Sequence, residues 1–130
     1  MPYIATNPWA LLNQSVGTGQ CVALVEAAAN MPNTKYWQRG IRVRGATLAP
    51  GTIIATFDPD GRYGNHTDGR SHAAIYLSQN TEGIKVIDQW VNVKNLVRTP
   101  HLASPRLIRW KGLRHHVEPV NDGDDFYVVQ

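Results

Sequence analysis

The spacing of apolar positions divides this chain into one helical stretch and several extended ones. The run Cys-Val-Ala-Leu-Val-Glu-Ala-Ala-Ala over 21–29 is rich in helix formers, with Thr18 or Gly19 ahead of it as cap and Asn30-Met31-Pro32 as stop. Its nearly all-apolar surface predicts a buried helix. Before it, Pro8, Gly17 and Gly19 leave the Pro-Trp-Ala-Leu-Leu segment room for a short helical turn only. Weak alternation over 37–44 reads as loop plus a short strand. Pro50-Gly51 then turns into a β-branched run over 52–57, a buried strand. Two more strands are expected at 72–77 and 84–91, joined as a hairpin through the polar stretch 78–83. Further strands fit 107–110 and 126–129. Between the strands expected at 52–57 and 72–77, 58–70 mixes Gly and Pro with Asp and Asn, an irregular loop of the kind that borders a binding site. One or two N-terminal helices packed on a small antiparallel β-sheet make this an α+β fold.

No internal repeat, low-complexity tract or concentrated linker interrupts the 130 residues, so 1–130 reads as a single domain. Hydrophobic residues at 42% and charged residues at 18% place the chain among globular proteins and away from disorder. No apolar run is long enough to span a membrane, and no basic start followed by an apolar run marks a secretory signal peptide. Work outside the cell would need a dedicated export machine. A formal charge of +3 permits attraction to polyanions. No aromatic-interleaved motif accompanies the basic residues, so nucleic acid is not an expected partner.

The only cysteine, Cys21, cannot form an internal disulfide and sits where the helix begins. There, unpaired backbone N–H groups and the helix dipole favour a thiolate and offer donors to an oxyanion. The alternative is simple burial beside Val22 and Leu24. His72 opens an otherwise apolar strand directly after the glycine-rich loop, where its ring could reach a cleft. If the hairpin folds symmetrically about Asn80, residues whose numbers sum to 160 lie opposite each other, which pairs His72 with Asp88. Asp88 would then orient the ring and leave the other nitrogen for Cys21. A slip of one residue would substitute Gln89 in that role.

His66, Asp68, His72 and the His115-His116 pair match no metal-ligand spacing, so neither a metal nor another cofactor is expected. Gly17-Thr18-Gly19 lacks the lysine and preceding strand of a phosphate loop.

Gly19-Gln20-Cys21-Val22, Pro50-Gly51-Thr52-Ile53-Ile54, Ser71-His72-Ala73-Ala74-Ile75-Tyr76-Leu77 and Asp88-Gln89-Trp90 together resemble the NlpC/P60 and CHAP cysteine amidases, which have a papain-like fold. Tyr36-Trp37 followed by Gly40 adds to the likeness. Among these families the chain looks most like the small amidase effectors delivered by type VI secretion. The resemblance implies that Cys21 is nucleophile, His72 general base and Asp88 the orienting residue. It implies hydrolysis of a peptidoglycan stem-peptide or cross-link amide through an acyl-enzyme. It further implies a monomeric antibacterial toxin made in the cytoplasm, acting in a target cell's periplasm and neutralised by a cognate immunity protein. Gln20 or Gln14 is then a candidate second oxyanion donor, with Gln89 a further candidate at the site, and Arg62 or Arg70 would recognise substrate carboxylates. A non-catalytic wall-binding module, or a cysteine acyltransferase or peptidase with another substrate, would share the same frame.

Overall fold

The computed structural model describes residues 1–130. One α-helix, α1 (Cys21–Ala29), precedes six strands: β1 (Arg39–Arg42), β2 (Ile53–Thr56), β3 (Ala73–Gln79), β4 (Gly83–Lys94), β5 (Val97–Arg109) and β6 (Phe126–Val129). They form a single antiparallel sheet in the order β1-β6-β2-β3-β4-β5. The α+β class holds, but only one N-terminal helix forms. Residues 1–20 make turns and an isolated bridge from Ile4 to Thr52. Left-handed backbone at Asn13, Gly17 and Gly19 keeps helical bonds from propagating there.

The helix spans 21–29 as expected, but neither Thr18 nor Gly19 is its cap. Gln20 is the N-cap and gives no side-chain capping bond, while the Thr18 hydroxyl accepts from the Gln20 N–H instead. Asn30 ends the helix in left-handed backbone (φ 53°), its N–H returning to the Glu26 carbonyl. Leu24 and Val25 turn fully inward and pack in one cluster with Ala73, Ile75 and Ile87 of β3 and β4. Burying each such side chain contributes on the order of 2 kcal/mol. Ile54, Ala74, Tyr76, Val86 and Phe126 form a second cluster on the other face of the sheet. Strands β2 and β3 are therefore buried on both faces, which explains their unbroken apolar runs.

The β3–β4 hairpin departs from symmetry about Asn80. Next to the turn, Gln79 faces Ile84 and Ser78 faces Lys85; beyond it, Tyr76 faces Val86 and Ile75 faces Ile87. Partner numbers thus sum to 163 at the turn and 162 further along, with Leu77 the extra residue of a bulge. The cause of the offset lies in the turn, where the Asn80 side-chain oxygen accepts from the Glu82 and Gly83 N–H groups. Continuing the register of 162 places Trp90, not Asp88, opposite His72. Asp88 lies two residues along on the same face, so it meets His72 diagonally. Without the bulge at Leu77, the odd sum would turn Asp88 to the other face.

Strand β5 is far longer than the expected 107–110. Pro100 and Pro105, which speak against an interior strand, fit it because β5 is a sheet edge.

Candidate active site

Cys21 occupies the first position of α1, partly exposed, where backbone N–H groups have no helical partner. Its Sγ lies 3.7 Å from the Tyr63 hydroxyl. Tyr63 reaches inward from the 58–70 loop and is held by Trp37, at 4.9 Å between ring centroids, and by Phe57 at 6.3 Å. Burial opposes ionisation of the thiol, but the hydrogen bond and positive charge of His72 outweigh it. With further help from the Ala73 backbone and the Tyr63 hydroxyl, the thiol titrates below its ordinary 9.0. Burial and the adjacent sulfur push the Tyr63 phenol upward, so it stays neutral.

His72 immediately precedes β3 and is buried. The Thr56 hydroxyl anchors it by accepting from its backbone N–H at 3.0 Å. Its Nε2 is 2.7 Å from Asp88 Oδ2, which leaves Nδ1 as the ring nitrogen available to Cys21. Burial alone would favour the neutral ring. The hydrogen bond that the ring donates to Asp88, then the hydrogen bond and charge of Cys21, reverse this and raise His72 from 6.5 to about 9. Sulfur and ring are thus displaced toward a thiolate–imidazolium pair.

Asp88 is fully buried, and Oδ2 also accepts from Arg106 Nε at 2.7 Å. Its burial favours a neutral carboxyl, but His72 and Arg106 together hold it below the ordinary 3.8. Arg106 comes from β5, and its guanidinium also stands over the Trp90 ring at 5.1 Å. Trp90 in turn stacks on His101, with centroids 3.7 Å apart and planes 9° from parallel. A chain of alternating charge therefore runs from Cys21 through His72 and Asp88 to Arg106.

The remaining predicted residues scatter. Gln89 is buried on the helix side, its amide committed to the Val16 N–H and to the Val16 and Gln20 carbonyls. It pins the segment that leads into Cys21 and has no amide proton left for substrate. Gln20 is exposed and lines the cleft beside His72. Gln14 is exposed and tied through its backbone carbonyl to Ala103, away from that cleft. Arg70 is exposed and paired with Asp68, and Arg62 is outside the cleft lining. His66 pairs with Asp58 at 2.9 Å. Nowhere do three His, Cys, Asp or Glu side chains gather in a group that would hold a metal.

A cleft of about 760 Å³ opens on the His72 flank, with Gln20, Ser71, Trp90, Asn92 and Arg106 along its walls. Two residues of this neighbourhood, Tyr63 and Arg106, escaped the reading of the sequence. An aromatic inside an otherwise polar loop was a visible signal for Tyr63. Arg106 gave none, since its segment was not expected to be a strand.

The chain is 42% identical, over the whole of both proteins, to a type VI secretion amidase effector 2 protein of Salmonella typhi. It is 35% identical to domesticated amidase effector 2 of Ixodes scapularis, over 85% of this chain and 70% of that protein. Among solved structures, type 6 secretion amidase effector 2 (Tae2) superposes with a TM-score of 0.78 at 33% identity, covering 98% of this chain and 94% of the other. With residues 3–129 matching the model of Dae2, domesticated amidase effector 2, the chain belongs to that amidase effector family.

Proposed function

We propose that this chain is a cysteine amidase that hydrolyses an amide bond of peptidoglycan peptide, with Cys21, His72 and Asp88 as its catalytic residues in an NlpC/P60-type, papain-like arrangement. The observation that carries the reading is the buried His72–Asp88 bond at 2.7 Å beside a thiol whose ionisation His72 favours. Membership of an amidase effector family supports the reaction class.

The Cys21 thiolate attacks the amide carbonyl, forming a C–S bond, and the oxyanion meets backbone N–H groups at the start of α1. Collapse of the tetrahedral intermediate breaks the C–N bond. The imidazolium of His72 gives its proton to the departing amine. Water then attacks the thioester carbonyl while His72 takes a proton from it. Breaking the C–S bond frees the carboxylic acid and restores the pair. Asp88 holds the ring orientation and stabilises its charge throughout.

As a single catalytic domain delivered by type VI secretion, the protein acts in the periplasm of a target cell, opposed by a cognate immunity protein. Purified sacculi incubated with folded, reduced protein should release peptide fragments with newly exposed amines, identified by mass spectrometry. Cys21→Ser should release none while keeping the fold. Sacculi left intact by the native protein would sink the hydrolase reading.

A further inference from the structure

We infer that Arg106 is a substrate-recognition residue that binds a carboxylate on the leaving-amine side of the scissile amide. The inference rests on the hydrolase reading above and adds to it the chemistry of one half of the substrate. Because His72 protonates the departing nitrogen, the part of the substrate attached to that nitrogen must lie over the His72 flank. The cleft opens on that flank.

Arg106 meets the requirements of an anion anchor there. Its guanidinium carries five N–H donors in a planar fork. Only Nε makes a short bond, to Asp88 at 2.7 Å. The two Nη groups have only stretched contacts, at 3.5 Å to Asn121 Oδ1 and 3.4 Å to the Val120 carbonyl. Such contacts are at the limit of hydrogen bonding and would yield to a carboxylate, whose two oxygens match two parallel N–H groups. Asp88 on one edge and the Trp90 face at 5.1 Å fix the plane of the fork, so little freedom is lost on binding.

The sign of the site follows from its walls. None of the residues lining the cleft is an aspartate or a glutamate, and the Asp88 carboxylate behind it is bonded through Oδ2 to both His72 and Arg106, its Oδ1 being buried without a partner. Gln20, Asn92 and Asn121 add neutral polar groups. Trp90, stiffened by its stack on His101, supplies an apolar wall for the aliphatic part of the same residue. The ligand chemistry is therefore an amino-acid unit with a free carboxylate next to the amine that leaves.

Two synthetic stem-peptide substrates test this, alike except that the residue contributing the leaving amine carries a free α-carboxylate or its carboxamide. The native enzyme should favour the carboxylate by about 10–100-fold in kcat/KM, the range of one charge-assisted contact. Arg106→Gln should lower turnover of both, because it also loosens Asp88, but should cut the preference to about twofold or less. Arg106→Lys, which keeps the charge without the fork, should retain part of it. A preference that survives in Arg106→Gln overturns the assignment and leaves Arg106 as a positioning residue for Asp88. Should Arg106→Gln fail to fold, equal turnover of the two substrates by the native enzyme overturns it just as well. Failure of the native enzyme on both peptides and on sacculi strikes the hydrolase reading itself.

Discussion

The titrations of Cys21 and His72 are linked, the thiol lowered and the ring raised by each other. Asp88 draws the proton to the ring, and the ring's charge draws it off the sulfur. In the proposed mechanism the competent form needs a bare sulfur and a protonated ring. Activity should therefore rise with pH through the lowered thiol value and fall as His72 loses its proton near 9. In Asp88→Asn the ring loses its anionic partner, so the alkaline limb of kcat/KM should move toward 6.5, with turnover reduced about 10²-fold. An alkaline limb that stays near 9 in that variant would remove Asp88 from the proton relay. Tyr63 contributes differently, since its phenol stays neutral and lies within reach of the sulfur at 3.7 Å. Tyr63→Phe should raise the thiol titration, read as the pH dependence of alkylation, and slow hydrolysis about tenfold, the scale of one hydrogen bond. An unchanged alkylation profile would mean that the hydroxyl does not stabilise the thiolate.

The elements around these residues were legible where local chemistry decides them and opaque where pairing does. Asn30 and Pro32 marked the end of α1, and the β-branched run marked β2, because stops and propensities act over a few residues. The His72–Asp88 meeting was anticipated from a symmetric turn that does not exist. It survives because the Leu77 bulge restores even parity. No local signal announces such a bulge. Gln89, one residue on, faces the helix and bonds backbone groups of Val16 and Gln20. Gln89→Leu should cost about 2 kcal/mol in urea unfolding, since it leaves part-buried backbone groups of Val16 and Gln20 without partners, and should slow Cys21 alkylation by unsettling the start of α1. The β4–β5 tip tells the opposite story. Asn95 and Leu96 both have positive φ, and Leu96 is 96% exposed, so a leucine holds left-handed backbone without packing in return. Leu96→Gly should stabilise the fold by about 1 kcal/mol, measured by the same unfolding. A loss of stability would show that the Leu96 side chain packs after all.

For the molecule as a whole, the proposed catalytic pair and the folding equilibrium answer to pH in different ways. His72's raised value alone would add stability below 6.5 that is lost as pH rises through about 9. Cys21's lowered value alone would add stability above 9.0 that is lost as pH falls toward its folded value. Where the two ranges overlap, the unfolded chain keeps its proton on sulfur and the folded chain keeps one on the ring. Proton counts match, the opposing slopes cancel, and the pair leaves stability flat even where it would gate the proposed reaction. Asp88 has no such counterpart. Its carboxylate is held below 3.8 when folded and returns to the ordinary range on unfolding, so its contribution is complete above about 3.8 and fades as pH drops through the folded value. Asp124, paired with Arg44 at 2.7 Å, is lowered too, but its partner is half exposed and solvent screens the pair. Acid unfolding should therefore be governed by the buried carboxylate. In Asp88→Asn, stability at neutral pH should drop but its decline below pH 4 should flatten, whereas Asp124→Asn should keep the steep decline. The reverse pattern would place the acid-sensitive link at the surface, away from the buried His72–Asp88–Arg106 chain.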